Sequence, residues 1–389
     1  MRNEFDFRRR GAAARRAALL LTAATALLLP SACSDTCTGE GDAQTESVVM
    51  RFGRADIGSR ATLYESDDLR RDGAAFAVWG AMYPIGGPTT SCVPLFDGTP
   101  VAYRDAEGAW SYADPQYWFP GFVYNFRALF PAAVGGEPLA AEARDSDRGD
   151  AMYVAVPDFD LTQGIDLLAA STDPYRCAHD AKWPTVNGAQ ATVVDLAFRH
   201  LLCGITVTGA ADTALGDGVQ VTVEGMKIYG MSRRGSWSGA GFGTTAAPAG
   251  TWTPSAAHAT DAENPYAVLV AAAPDASAKP VATGGPVTLS AGGEHDFMAV
   301  GDLLLMMPQA LDDDFVLEVN YRYTGNGAEG SLRTVRASLA SASATLSEGW
   351  TAGRKYRYRF TIGPSDYILF AAPAVTPWQD ASGGSIRIE

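Results

Sequence analysis

The chain has 389 residues, with 44 Asp and Glu against 30 Lys and Arg and a formal net charge of −14. That balance argues against nucleic acid as a partner, because affinity for a polyanion comes from neutralising phosphates with Lys and Arg. It argues equally against electrostatic docking on anionic lipid, and only four lysines occur in the chain: Lys182, Lys227, Lys279 and Lys355.

The N-terminus carries the first predicted element. Arg8, Arg9, Arg10, Arg15 and Arg16 precede the apolar run Ala17 to Leu29, which is too short to span a bilayer comfortably. Ser31 and Ala32 then lead into Cys33, the pattern of a secretory signal and its cleavage site. A cysteine at that point resembles the lipobox of bacterial lipoproteins, where the thiol receives a diacylglyceryl group, although Pro30 stands where Leu is usual. Residues 1–32 are therefore expected to be a signal peptide and residues 33–47 a lipidated tether; the alternative is an ordinary signal peptide with a cysteine there by chance. Loss of residues 1–32 removes six Arg and two acids, leaving −18.

The remaining 357 residues suit two domains rather than one core. Strand patterns follow in order. Val48, Met50 and Phe52 share one parity. "AFAVWG" (Ala75 to Gly80), "AWSYA" (Ala109 to Ala113), "FRALFPA" (Phe126 to Ala132) and "AMYVAVP" (Ala151 to Pro157) come next. "GIDLLAAST" (Gly164 to Thr172) fits a single helical turn or a strand. Val219 to Gly230, Phe315 to Tyr323 and Tyr356 to Ile362 alternate apolar and polar residues, which places one face in a core and one in water. Gly-, Pro- and Ala-rich spacers such as Gly239 to Gly250 and Ala271 to Pro286 punctuate them. The pattern predicts an all-β chain of sandwich architecture. It divides into an N-terminal domain over 48–190 and a C-terminal domain over 191–389, with the boundary after the loop Asp180 to Gln190.

No chemistry stands out. Outside Cys33 the cysteines are Cys37, Cys92, Cys177 and Cys203, scattered and without C-x-x-C. A disulfide such as Cys92–Cys177 is allowed outside the cytoplasm but not fixed by spacing. The four histidines are dispersed, and "CAHD" (Cys177 to Asp180) offers too few ligands for a tetrahedral metal site. "GSWSG" (Gly235 to Gly239) has Trp237 where a nucleophilic Ser would stand, and it suits a loop with an exposed aromatic. "LDDDF" (Leu311 to Phe315) lacks the spacing and Gly of a calcium loop. No catalytic residue, metal or cofactor is expected. His200 interrupts the alternation of Val194, Leu196 and Phe198, which resumes on the other parity at Cys203. Without a partner at ligand spacing it is expected to be structural, one ring nitrogen bonding a backbone carbonyl. The parity change near Gly204 suggests a β-bulge, and Cys203 a buried, inert thiol.

Taken in order, "GSRAT" (Gly58 to Thr62), "FAVWGAMYP" (Phe76 to Pro84), "VDLAFRHLLCGITV" (Val194 to Val207), "LLLMMPQ" (Leu303 to Gln309), "GWTAGRKYRYRFTI" (Gly349 to Ile362) and "AVTPWQD" (Ala374 to Asp380) resemble the fimbrillin-like proteins of Bacteroidetes, the type V pilins. The resemblance implies two transthyretin-like Greek-key sandwiches and a lipoprotein of the outer membrane or cell surface. Its partners would be other pilin subunits joined by β-strand addition after an arginine-specific protease removes the first strand. Arg54 and Arg60 lie in a Gly- and Asp-containing stretch and are the candidate processing sites. The segment after Trp378 is short for a donated strand, which points to a tip, accessory or anchor role. Two rival readings exist. One is a glycan-binding outer-membrane lipoprotein whose Trp237, Trp252 and loop aromatics Tyr117 and Trp118 stack on sugars. The other is a secreted hydrolase using one or two acids.

Overall fold

Alternating sequence becomes strand throughout the computed structural model, which describes residues 48–57, 69–88, 92–134, 137–139, 142–144, 153–216, 218–239, 250–260, 266–269, 286–298, 303–325, 328–342, 349–364 and 368–377. The principal strands are β1 (Val48–Val49), β2 (Phe52–Ile57), β3 (Ala75–Pro84), β4 (Val93–Arg104), β5 (Phe122–Phe130), β6 (Tyr153–Asp160), β7 (Leu168–Ser171), β8 (Val194–His200), β9 (Cys203–Ala211), β10 (Val219–Tyr229), β11 (Arg234–Gly239), β12 (Thr251–Pro254), β13 (Val316–Gly325), β14 (Arg354–Ile362) and β15 (Ile368–Pro377). Helix is scarce among the described residues, seen at Leu69, at Leu339–Ala342 and in 3-10 turns such as Leu161–Gln163. The all-β expectation holds.

Strands up to His200 build a ten-stranded sheet around the antiparallel pair β3 and β5. β4 extends it on one side; β7, β8 and then β2 extend it on the other, with β2 parallel to β8. Each face of this sheet carries a core. Phe76, Val78, Tyr124, Phe126 and Phe198 join Met50 and Phe52 in one cluster, while Ala77, Trp79, Leu129 and Ala169 join the other. Strands at such a position lose their wet face, which is why β7 is buried at all four positions.

The second core continues into a sandwich. β9 pairs in parallel with β14, which carries β15 antiparallel, and β10 pairs antiparallel with β13. Ile205, Val207, Tyr356, Tyr358, Phe360 and Ile362 from one sheet meet Val221, Val223, Ile228, Leu317, Val319 and Tyr321 from the other. Each such side chain, fully buried, contributes about 1.5–3 kcal/mol. A four-stranded sheet links the early and late parts of the sequence, because β6 pairs with β11 and β11 with β12. Residues Thr45–Glu389 form one compact unit.

β8 is a strand of the ten-stranded sheet, and the chain changes sheets at Leu201 and Leu202, about ten residues past the expected boundary. One expectation is corrected at this junction. The parity change there is no β-bulge. β8 stops at His200, β9 starts at Cys203, and the two buried leucines between them form a bend held by Leu201 N–H donating to Leu167 O at 2.9 Å. The pleat restarts in a new sheet, which resets the parity.

Cys92, Cys177 and Cys203 are free thiols, so the Cys92–Cys177 bridge is not formed; Cys37 lies outside the described residues. Burial pushes the Cys177 and Cys203 thiols up, and Cys203 Sγ donates to Met306 O at 3.3 Å. Since the thiolate is the reactive form, only Cys92 of these three is expected to react with a thiol reagent in the native protein at pH 8. Cys177 and Cys203 should label only after urea is added, which peptide mass spectrometry of the modified chain would read.

Candidate assembly site

The first strands enter the fold as an insert. β1 pairs antiparallel with Tyr117–Trp118, and the chain then drops Met50 (0 % exposed) and Phe52 (5 % exposed) into the first core. The Phe52 ring meets Phe76, Phe96, Tyr112 and Phe126 edge-on, with centroids 5.7, 5.8, 5.7 and 6.4 Å away. Aromatic pairs in this geometry add about 0.5–1.5 kcal/mol beyond their area. Met50 N–H donates to Gln116 O and Val194 N–H to Arg51 O, each at 2.7 Å, and Tyr112 O–H donates to Met50 O at 2.7 Å. β2 is the last strand of its sheet, paired among the described residues only with β8.

Gly53 permits that seat. A Cβ at this position would collide with the Val193 side chain, whose branched Cβ leaves one favoured rotamer and little room to yield. Gly53→Ala is therefore expected to cost about 1–3 kcal/mol as an overpacking change. A lower urea midpoint with an unchanged denaturant slope would register it.

The predicted residues fall as follows. Arg54, expected in a linker beyond the first strand, lies inside β2, between the registered pairs Val194↔Phe52 and Leu196↔Ala55. The strand runs on to Ile57 because β8 offers it a parallel partner as far as Phe198. Arg60, Cys33 with the signal and tether, and the segment from Trp378 onward lie outside the described residues.

His200 is 2 % exposed, and its Nδ1 lies 2.7 Å from Asp166 Oδ2, with side-chain exposures of 1 % and 0 %. A buried carboxylate thus faces the imidazole, a neighbour the sequence reading did not include. Sequence reasoning missed it because Asp166 sits in "GIDLLAAST", far along the chain, and is brought opposite by the pairing Leu168↔His200. Neither side chain meets solvent, so a substrate has no route to the pair. Among the described residues no group of three or more His, Cys, Asp or Glu could hold a metal ion.

The tryptophans are also corrected. Trp237 is 2 % exposed in β11, opposite Trp252 in β12, and cannot stack on a sugar from solvent. Trp252 turns inward too, its Nε1–H donating to Leu201 O at 2.7 Å and its ring 5.8 Å from Phe159. Of the loop pair, Trp118 is buried against Tyr175 and only Tyr117, at 37 %, is exposed. The Asp312–Asp314 turn is exposed and closed by Asp314 N–H donating to Asp312 Oδ1 at 3.0 Å.

Comparison with known proteins decides what kind of molecule carries this insert. The model of the fimbrillin-like family matches residues 67–378. The chain belongs to the fimbrillin-like family. This fimbrillin-like chain is similar to the crystal structure of a fimbrial protein from Bacteroides vulgatus, at 15 % identity and a TM-score of 0.59, covering 85 % of this chain and 99 % of that one. A candidate cell adhesion protein from Bacteroides uniformis matches at 17 % identity and TM-score 0.40, over 86 % and 99 %. Another from Parabacteroides distasonis matches at 11 % and 0.42, over 86 % and 99 %. Among curated proteins none matches. The family model makes the chain fimbrillin-like, and the Bacteroides vulgatus structure is similar to it in fold. The family match begins at residue 67, beyond β2, so the insert lies outside it.

Proposed function

We propose that the chain is a subunit of a type V-like pilus, joined to neighbouring pilins by β-strand addition and held to the outer membrane by lipid on Cys33 alone. The observation that carries this reading is the seat of β1 and β2: a terminal segment, on the edge of its sheet, whose Met50 and Phe52 plug an aromatic core. Removing it would uncover the edge of β8 and an apolar groove, which a strand from another subunit fills with main-chain hydrogen bonds and alternate side-chain pockets. Arg60 suits processing better than Arg54. A cut after Arg60 removes β2 whole, whereas a cut after Arg54 leaves Ala55–Ile57 in register with β8. β15 offers a second edge: its ten residues carry no charge, and Leu369 and Val375 are 59 % and 38 % exposed.

The subunit needs no cofactor and performs no catalysis in this reading; a host or glycan ligand accounts for adhesion, and nucleic acid is not a partner. Limited trypsin digestion with N-terminal sequencing and size analysis tests it. Cleavage after Arg60 followed by association with a partner pilin is expected. A chain that resists cutting between Phe52 and Thr62, or that is cut and never associates, rules out strand exchange. Cys33→Ala should release the protein from the membrane fraction, and its retention there would refute the lipid anchor.

A further inference from the structure

The Asp312–Asp314 turn borders a cavity of about 790 Å³ that stands apart from the assembly site: none of its lining residues belongs to β1, β2 or β8. β10 and β13 meet there through the pair Tyr229↔Val316. Gly230, at φ +84°, passes so close to the aspartate turn that a Cβ would strike Asp314 O. Its N–H donates to Thr260 O, and Thr260 N–H donates to Met231 O, each at 2.8 Å. One glycine thus seats both the aspartates and Thr260.

The polar groups in the wall differ in what they can still bind. Ser232 Oγ is engaged with Arg234 O and Ser255 O at 2.8 and 2.7 Å. Gln309 accepts from Ser232 N–H at 2.9 Å and donates to Ser232 O and Met307 O at 3.3 and 3.1 Å. Arg336, the one cation among the described lining residues, is paired with Glu318 at 2.8 Å and lies over the Tyr229 ring at 5.1 Å. The exposed carboxylates of Asp313 and Asp314 have no ion pair or hydrogen bond among the described residues, and Asp312 uses one oxygen on Asp314 N–H. Thr260 is 3 % exposed, and its Oγ1 has no hydrogen-bond partner among the described residues.

An acidic run alone is ordinarily wet surface. The orphan hydroxyl is the independent sign of a ligand, because a buried polar group without a partner is disfavoured and a donor entering the cavity supplies one. An anion would be repelled by the aspartates. A metal ion lacks its ligands, since among the described residues no group of three or more His, Cys, Asp or Glu could hold one. A Lys ammonium carries three donors and no acceptor. Its methylene stem matches the apolar part of the wall at Pro254, Ala256, Ala259 and Ala310. We propose that this cavity receives a lysine side chain of a basic partner peptide, its ammonium donating to Thr260 Oγ1 and to the carboxylates of Asp313 and Asp314.

Fluorescence anisotropy on the uncut, folded chain provides the test, at about 0.15 M salt so that diffuse attraction is screened. The probe is a labelled Gly-Lys-Gly-Lys-Gly peptide, and the control carries norleucine for lysine. The lysine peptide should bind saturably and at least about tenfold more tightly than the control. Asp313→Asn with Asp314→Asn should weaken it about tenfold or more; Asp312 stays because it closes the turn. Asp105→Asn with Glu107→Gln, an equal loss of exposed charge outside the cavity, should change it less than about twofold. Thr260→Val should weaken binding about threefold or more without lowering the urea midpoint, because no native bond is lost. No binding up to about 1 mM, equal binding of the norleucine peptide, an equal loss in the Asp105 and Glu107 variant, or unchanged binding in either cavity variant would each overturn the proposal. Stoichiometric calcium lost in the aspartate variant would also overturn it, by making the turn a metal site. None of these measurements depends on proteolysis, so a chain that resists trypsin would sink the strand-exchange reading and leave the cavity result standing.

Discussion

His200→Ala is expected to destabilise the protein by about 3–5 kcal/mol, the cost of removing one partner from a buried ionisable pair. The imidazole and the Asp166 carboxylate touch at 2.7 Å with side chains 1 % and 0 % exposed. Their chain neighbours Leu167, Leu168, Leu201 and Leu202 are wholly buried, so the carboxylate left behind stays out of water. A lone structural imidazole bonding a carbonyl would cost only about 1–3 kcal/mol on removal, so the size of the effect separates the two accounts. The pair also joins the end of β8 to the segment leading into β7, across the register Leu168↔His200. Asp166→Asn should be milder, since it keeps the side chain's volume and leaves no charge behind. The double variant His200→Ala with Asp166→Ala should cost less than the two single Ala changes added together, because it leaves no orphan. Urea unfolding of the four proteins decides it. A loss below about 1 kcal/mol in His200→Ala, or strict additivity, would mean that the contact carries little of the junction's stability.

How much of this was legible in the sequence depends on what a strand faces. Tyr356, Tyr358, Phe360 and Ile362 alternate with Arg357 and Arg359, and the structure buries the first set and leaves those two arginines exposed. Phe315 to Tyr321 follows the same rule except at Glu318, which is 6 % exposed because Arg336 on the neighbouring strand reaches it at 2.8 Å. β5 defeats the rule, since a strand between two cores has no wet face to mark its period. "GSWSG" defeated it differently. Gly235, Trp237 and Gly239 point inward and Ser236 and Ser238 outward, a period of two written with glycines. At Gly235 a Cβ would strike Met307 Sδ and Thr253 O, so the inward position has no room for an apolar side chain and the hydrophobic signal vanishes. The His200–Asp166 contact and the cavity at Asp314 were invisible for a third reason: each is assembled from segments that only the sheet topology brings together.

Phe52→Ala is expected to cost about 3–5 kcal/mol, the range for removing a buried phenyl ring, and to loosen β2 specifically. Four ring contacts converge on that one side chain, while the backbone of the segment is held by bonds at Met50 and Arg51 that the substitution leaves in place. The result should be a strand that still pairs but is poorly seated, and therefore cut faster by trypsin than the parent. The stronger form of the prediction uses a chain from which residues 33–60 have been cleaved. That protein should be markedly less stable, because Met50 and Phe52 no longer fill the core and the edge of β8 is open. A synthetic peptide spanning residues 48–57 should restore it in proportion to occupancy, by about 2.7 kcal/mol at a hundredfold excess over its Kd. The same peptide with Met50→Ala and Phe52→Ala should restore little, since backbone pairing alone lacks the side chains that fit the pockets. A β-groove built for exchange must discriminate in this way: any strand can make the ladder, and only the right alternate residues fill the core. Equal rescue by both peptides would show an unselective edge, and no rescue by either would show that the N-terminal segment belongs to an irreversible fold and not to an exchangeable seat.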